Sequence, residues 1–159
     1  MKHPQRISDT TGKTVEDSTI IVFLPFTDID VSDTHTACFA NDTTTAAIST
    51  LPILSAIPIC VTYTPNADYN GTDSICVVVC DNGGDCDTGI IHIIITPVND
   101  PPMISDTTVT TAEDSTIIVC LPFTDIDVSD THTASIACGP TNGTITSGPQ
   151  VSGNHVCVT

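Results

Sequence analysis

Asp73-Ser74-Ile75-Cys76-Val77-Val78-Val79-Cys80 and Gly89-Ile90-Ile91-His92-Ile93-Ile94-Ile95-Thr96 are two runs dominated by β-branched residues, and Asp81-Asn82-Gly83-Gly84-Asp85 stands between them. Branching at Cβ stiffens χ1 and suits a pleated, half-buried surface. Glycine supplies the positive φ that a tight connection needs. The segment therefore reads as a β-hairpin. Cys80 and Cys86 flank its turn, within geometric reach of a cross-strand disulfide.

The rest of the chain has the same character. Ile and Val supply most of the apolar residues, 28 Thr stand beside them, and the usual helix formers are scarce. Further strands are predicted at Ser18–Leu24, Thr36–Ala40 and Ile59–Tyr63, with clusters of Pro, Gly, Asn and Asp between them. With 159 residues, 40% of them hydrophobic, the chain can build packed cores, and the expected fold class is all-β.

Shifted by 97 residues, Ile7–Thr62 aligns with Ile104–Thr159 without a gap, and 35 of those 56 positions are identical. A period of about a hundred residues is that of one β-sandwich. Pro97-Val98-Asn99-Asp100-Pro101-Pro102 ends the last strand of the first repeat and stiffens the passage to the second. The expected organisation is a first repeat over 1–98, a linker over 99–102, and over 103–159 the first part of a second repeat without its final hairpin. Such a half-sandwich should not be stable alone. Either the sequence is an excerpt of a longer array, or a neighbouring subunit donates the missing strands.

Nineteen Asp and Glu stand against three Lys and Arg, a net charge of -16. That charge repels phosphate backbones and anionic lipid, which argues against nucleic acid and membrane surfaces, and no nucleic-acid partner is expected. No run of 18 apolar residues is available for membrane insertion. Either divalent cations supply the counter-charge, because Ca²⁺ takes hard oxygen ligands, or the carboxylates form a solvated acidic surface that keeps the protein soluble. Eight cysteines with no metal-type C-x-x-C pair point to disulfides and to an oxidising, extracellular compartment.

Three motifs in order, Thr14-Val15-Glu16-Asp17-Ser18, Tyr63-Thr64-Pro65-Asn66-Ala67-Asp68-Tyr69-Asn70-Gly71-Thr72-Asp73 and Pro97-Val98-Asn99-Asp100-Pro101-Pro102, resemble the cadherin-like tandem repeats of bacterial surface adhesins. The resemblance spans the first repeat and the first half of the second. It implies immunoglobulin-like, seven-stranded Greek-key sandwiches strung in series, with Ca²⁺ rigidifying their junctions. It further implies a role as an extender or adhesive module at the cell surface.

The acidic residues fit that expectation. Asp28, Asp30 and Asp33 recur as Asp125, Asp127 and Asp130 in the identical stretch Leu-Pro-Phe-Thr-Asp-Ile-Asp-Val-Ser-Asp, where no Lys or Arg relieves the crowding. Combined with the resemblance, this gives an expected Ca²⁺ site of Glu16, Asp73, Asn99, Asp100, Asp125 and Asp127. Asp28 and Asp30 would face a preceding repeat, and Glu113 and Asp114 a following one. An EF-hand is excluded, since its twelve-residue loop with a central Gly is absent.

Repeat equivalence suggests pairing Cys38 with Cys60 and Cys138 with Cys157, besides Cys80 with Cys86. Cys76 and Cys120 remain. In an immunoglobulin-type core their strands would face each other, so a donated strand would bond to Cys120 between molecules, or both are buried thiols. Asn41, Asn70 and Asn142 head N-x-T sequons and are candidate glycosylation sites, although Thr-rich chains produce such triplets by chance.

Catalysis finds no support. The five histidines show no H-x-x-x-H spacing, no nucleophile motif occurs, and glycoside hydrolysis would need an aromatic-lined cleft in a chain with no Trp, two Tyr and four Phe. The expected function is a non-catalytic module of an extracellular adhesin or fibre, whose partners are further copies of itself or neighbouring repeats. The alternative is a Ca²⁺-dependent carbohydrate-binding module that recognises surface polysaccharide.

Overall fold

The computed structural model describes residues 5–29, 34–40, 46–49 and 59–159. Asp30, Asp33 and Asn41 lie outside them. The chain divides into two compact units, Met1–Val98 and Asn99–Thr159. Among the described residues every regular element is a strand, so the chain is all-β.

The described residues of unit 1 hold nine strands: β1 (Arg6–Ile7), β2 (Thr10–Val15), β3 (Ile20–Leu24), β4 (Phe26–Thr27), β5 (His35–Phe39), β6 (Ala46–Ser49), β7 (Ile59–Pro65), β8 (Gly71–Asp81) and β9 (Cys86–Thr96). One sheet runs β2-β9-β8-β5, with β2 parallel to β9, and the other runs β3-β7-β6. β1 pairs with β4. Period-2 alternation sends Val22 and Leu24 from β3, Ile59, Val61 and Tyr63 from β7, Ile75, Val77 and Val79 from β8, and Ile91, Ile93 and Ile95 from β9 into a single core. That shared core makes the two sheets a sandwich.

The hairpin of β8 and β9 pairs Gly71 with Ile95 through to Cys80 with Cys86. β8 extends past both ends of its predicted run, so Asp73 lies inside the strand rather than at its start. β2 was not delimited from the sequence. Thr10-Thr11-Gly12-Lys13-Thr14-Val15 has little apolar alternation, and it is a strand because β9 offers it a parallel edge. Gly12 permits the fit, since a Cβ there would stand 2.7 Å from Cγ2 of Val22.

Unit 2 forms one sheet, β10 (Met103–Ile104), β11 (Val119–Thr124), β13 (His155–Val158) and β12 (Gln150–Ser152), in that order. Its β10–β11 corner repeats the β1–β4 corner of unit 1. Ile104 pairs with Phe123 as Ile7 pairs with Phe26, and Ser105 N donates to Pro122 O as Ser8 N donates to Pro25 O. Residues 107–112, the counterparts of β2, form no strand, and these 159 residues contain no second β9 for them to join. Only Phe123 among the large apolar side chains of unit 2 is buried, at 7% exposure, while Leu121 is half-buried where its counterpart Leu24 is fully enclosed.

The cysteines correct the expected pairing. Cys80 and Cys86 are joined across the hairpin, and Cys120 is joined to Cys157. Cys157 therefore does not bond to Cys138, which lies in an exposed bend, and Cys120 is not left for a neighbouring molecule. Cys120 and Cys157 are register partners on adjacent strands, within a Cα separation of 4.0 Å. Cys38 and Cys60 are not joined either. They sit on the outer faces of different sheets, with the core between them. Cys76 alternates with the buried residues of β8 and so points away from the core, as does Phe23, the counterpart of Cys120. A completed sandwich would hold Cys76 and Cys120 on opposite outsides, which removes the expected bond between them.

Candidate functional site

In unit 1 the chain leaves β2 at Val15 and turns through Glu16 and Asp17, with Asp17 in the left-handed region at φ 57°. The Glu16 amide donates to Thr96 O at 3.0 Å. Its carboxylate, only 3% exposed as a residue, accepts from Asn70 Nδ2 at 3.1 Å through Oε2 and from the Val98 amide through Oε1. Glu16 thus ties the end of β2 to the corner between β7 and β8 and to the chain leaving β9. Asp17 Oδ1 accepts from the Asp68 amide at 3.1 Å. In unit 2 the equivalent turn at Glu113 and Asp114 keeps the same left-handed aspartate, at φ 58°, but Glu113 is exposed. No counterparts of Asn70 or of Val98 follow it within this sequence.

Asp73 has another task. Its Oδ2 accepts from the hydroxyl of fully buried Tyr63 at 2.9 Å, and its Oδ1 from the Ser74 amide at 2.7 Å. A buried phenol without an acceptor would be costly, and Asp73 supplies one at the rim of the core.

The other end of unit 1 carries Asp28, whose Oδ2 lies 2.6 Å from Nε2 of His35, while the His35 ring sits edge-on to Phe26 at 5.3 Å. Buried Gln5 closes the hairpin there, donating from Nε2 to Val79 O at 2.7 Å and Asp85 O at 2.8 Å.

Unit 2 brings four of the six expected ligand residues together. Asp125 Oδ1 accepts from the Asp127 amide at 2.9 Å, Asp127 Oδ2 accepts from the Asp100 amide at 2.6 Å, and Asn99 Nδ2 donates to Asp100 O at 3.1 Å. Asp125 Oδ2 lies 2.6 Å from Nε2 of His132, whose ring is 4.7 Å from Phe123. The hydrogen bond from His132 holds the Asp125 carboxyl below the usual carboxylate range, with help from the Asp127 amide and against the smaller effect of burial. The donor set is all oxygen and hard, which suits Ca²⁺ or Mg²⁺ rather than a soft metal.

Sequence reasoning missed the histidines as partners of these carboxylates. The available signal was the repeated interval from Asp28 to His35 and from Asp125 to His132, seven residues in each repeat. It missed Asn70 as a structural group too, since the sequon drew attention to glycosylation while its amide nitrogen is engaged by Glu16. Asn142 is exposed, with its Nδ2 3.4 Å from Thr141 Oγ1.

No curated protein sequence matches the chain. Among solved structures it is similar to the extracellular cadherin domains 1–5 of protocadherin gamma B2, at 17% identity and TM-score 0.55 over 98% of this chain and 32% of that one. It is also similar to domains 1–4 of protocadherin gamma B7, at 16% identity and TM-score 0.52 over 98% and 41%. The chain thus spans well under half of either structure, and at these identities the likeness speaks for the fold. The family model for the bacterial Ig domain matches residues 3–94, which is most of unit 1 and more than half of the sequence. The paired sheets, their single alternating core and this match agree, and the chain belongs to the bacterial Ig domain family, with a cadherin-like and Ig-like sandwich fold.

Proposed function

We propose that the chain is a non-catalytic structural module of an extracellular adhesin or fibre, strung in series with similar repeats and stiffened by disulfides and Ca²⁺. The observation that carries this reading is where the charge lies. Among the described residues of unit 1, no outward-facing strand position holds Asp or Glu, and the carboxylates sit in turns, at strand ends and beside the core. A module free of carboxylates along its flanks and acidic at its turns suits end-to-end stringing with cations between charged segments.

Ca²⁺ would be held in unit 2 by oxygens of Asn99, Asp100, Asp125 and Asp127. The apolar face of β11, identical to that of β3 and β4 at Val119, Leu121 and Phe123, fits a hairpin of the β8 and β9 kind. That hairpin would come from further along the polypeptide or from a neighbouring copy. Electron microscopy in Ca²⁺ tests the reading: filaments or linear arrays support it. A protein that stays dispersed and is retarded on polysaccharide gels would replace it with a carbohydrate-binding module.

A further inference from the structure

The sheet β3-β7-β6 turns Ile21 and Phe23 outward from β3, Cys60, Thr62 and Thr64 from β7, and Ala47 from β6. None of these is charged. Ile21 is 57% exposed and Phe23 56%. Two positions apart on one strand, they lie side by side on the same face. The outer face of β2-β9-β8-β5 is less apolar, since it carries Lys13 and His92 and its most exposed large apolar residues are Val15 and Ile94.

We propose that the face carrying Ile21 and Phe23 is an interaction surface, and that it is covered by the same face of a second copy. Charge selects the occupant. Copies that each carry a net charge of -16 repel one another through their acidic turns, and they can close only where neither presents a carboxylate. An uncharged face is complementary to itself, which is what a two-fold interface requires. A large exposed aromatic on such a face is the usual anchor of binding energy. Unit 2 keeps part of the pattern, with Ile118 at 65% exposure in the place of Ile21, but there Cys120, bonded to Cys157, stands where Phe23 does. The aromatic anchor thus belongs to unit 1. The inference rests on the reading that the module associates with its own kind, but not on Ca²⁺.

Sedimentation velocity of the full chain tests it, using the wild type, Phe23→Thr, Phe23→Glu and, as a control on the other outer face, Thr88→Glu. Both positions changed, Phe23 and Thr88, are exposed, and circular dichroism checks that each variant is folded. The expected result is a wild-type dimer that tightens with added NaCl, because salt screens the repulsion. The Phe23 variants should dissociate with affinities about tenfold or more weaker, and Thr88→Glu should remain dimeric. A monomeric wild type, or dimers indifferent to Phe23, would overturn the inference. So would loss of the dimer in Thr88→Glu, or Phe23-dependent retardation on a neutral polysaccharide gel by a monomeric protein. Repeating the run in EGTA separates the two readings, since a dimer that persists there upholds this surface whatever becomes of the cation site.

Discussion

Cys120 and Cys157 occupy in unit 2 the register that Phe23 and Cys60 occupy in unit 1, so one ladder position is closed by a disulfide in one repeat and topped by an exposed aromatic in the other. The difference follows from burial. Unit 1 encloses Leu24 and Phe26 in a two-sheet core, whereas the single sheet of unit 2 has little apolar enclosure, and a covalent link offsets what packing does not supply.

Cys120→Ser should therefore destabilise unit 2 by about 3–4 kcal/mol, the range for a disulfide closing a loop of this length. Peptide mapping of the unreduced protein should find Cys120 linked to Cys157 and Cys80 to Cys86. Urea unfolding followed by proteolysis should show unit 2 opening at lower denaturant in the variant, with unit 1 unchanged.

Removing the Tyr63 hydroxyl probes the rim of the core. Tyr63→Phe deletes the hydrogen bond to Asp73 and should cost about 1–2 kcal/mol in unit 1. A double-mutant cycle with Asp73→Asn should show a coupling of the same order, whereas independent groups would give additive losses.

How far the sequence could be read depended on what its alternation allowed. The strands β8 and β9 were legible because Ile75, Val77 and Val79, and Ile91, Ile93 and Ile95, alternate with outward residues around a glycine-bearing turn. Thr10–Val15 was not, since its strand character comes from the edge of β9 and from the small volume of Gly12. The outward aspect of Cys120 was hidden inside Ile117-Ile118-Val119-Cys120-Leu121, an unbroken apolar run in which a period of two cannot separate inner from outer positions. The repetition of Asp125 and Asp127 made them stand out in the sequence, and unit 2 links them by hydrogen bonds to Asp100 and Asn99. The roles of Glu16 and Asp73 were not, because both are set by distant partners: Asn70 and Val98 for one, Tyr63 for the other.

Gly12→Val places in the first repeat the residue that Val109 supplies in the second. Its Cβ would collide with Val22, so unit 1 must shift β2 or repack its core. The expected loss is about 1–3 kcal/mol, read as a lower urea midpoint, and the same change at an open site such as Gly148 should be nearly neutral.

The Asp125–His132 pair predicts a direction for acid sensitivity. The folded pKa of Asp125 lies below its unfolded value, so the contribution is complete above the ordinary carboxylate pKa of about 4 and is lost as pH falls through the folded pKa. His132→Ala should raise the Asp125 pKa towards that ordinary value, observable by carbon-detected NMR titration of the carboxyl. An unmoved titration curve would assign the lowering to the Asp127 amide instead.

The central claim, a structural repeat stiffened by Ca²⁺ at the carboxylates of unit 2, is tested most directly by the melting temperature of the full chain in Ca²⁺ and in EGTA. Ca²⁺ at about a hundred times its dissociation constant should raise the midpoint by about 10 °C or more, and Asp127→Asn should remove most of that difference. Identical midpoints in Ca²⁺ and EGTA for the wild-type chain would contradict the account.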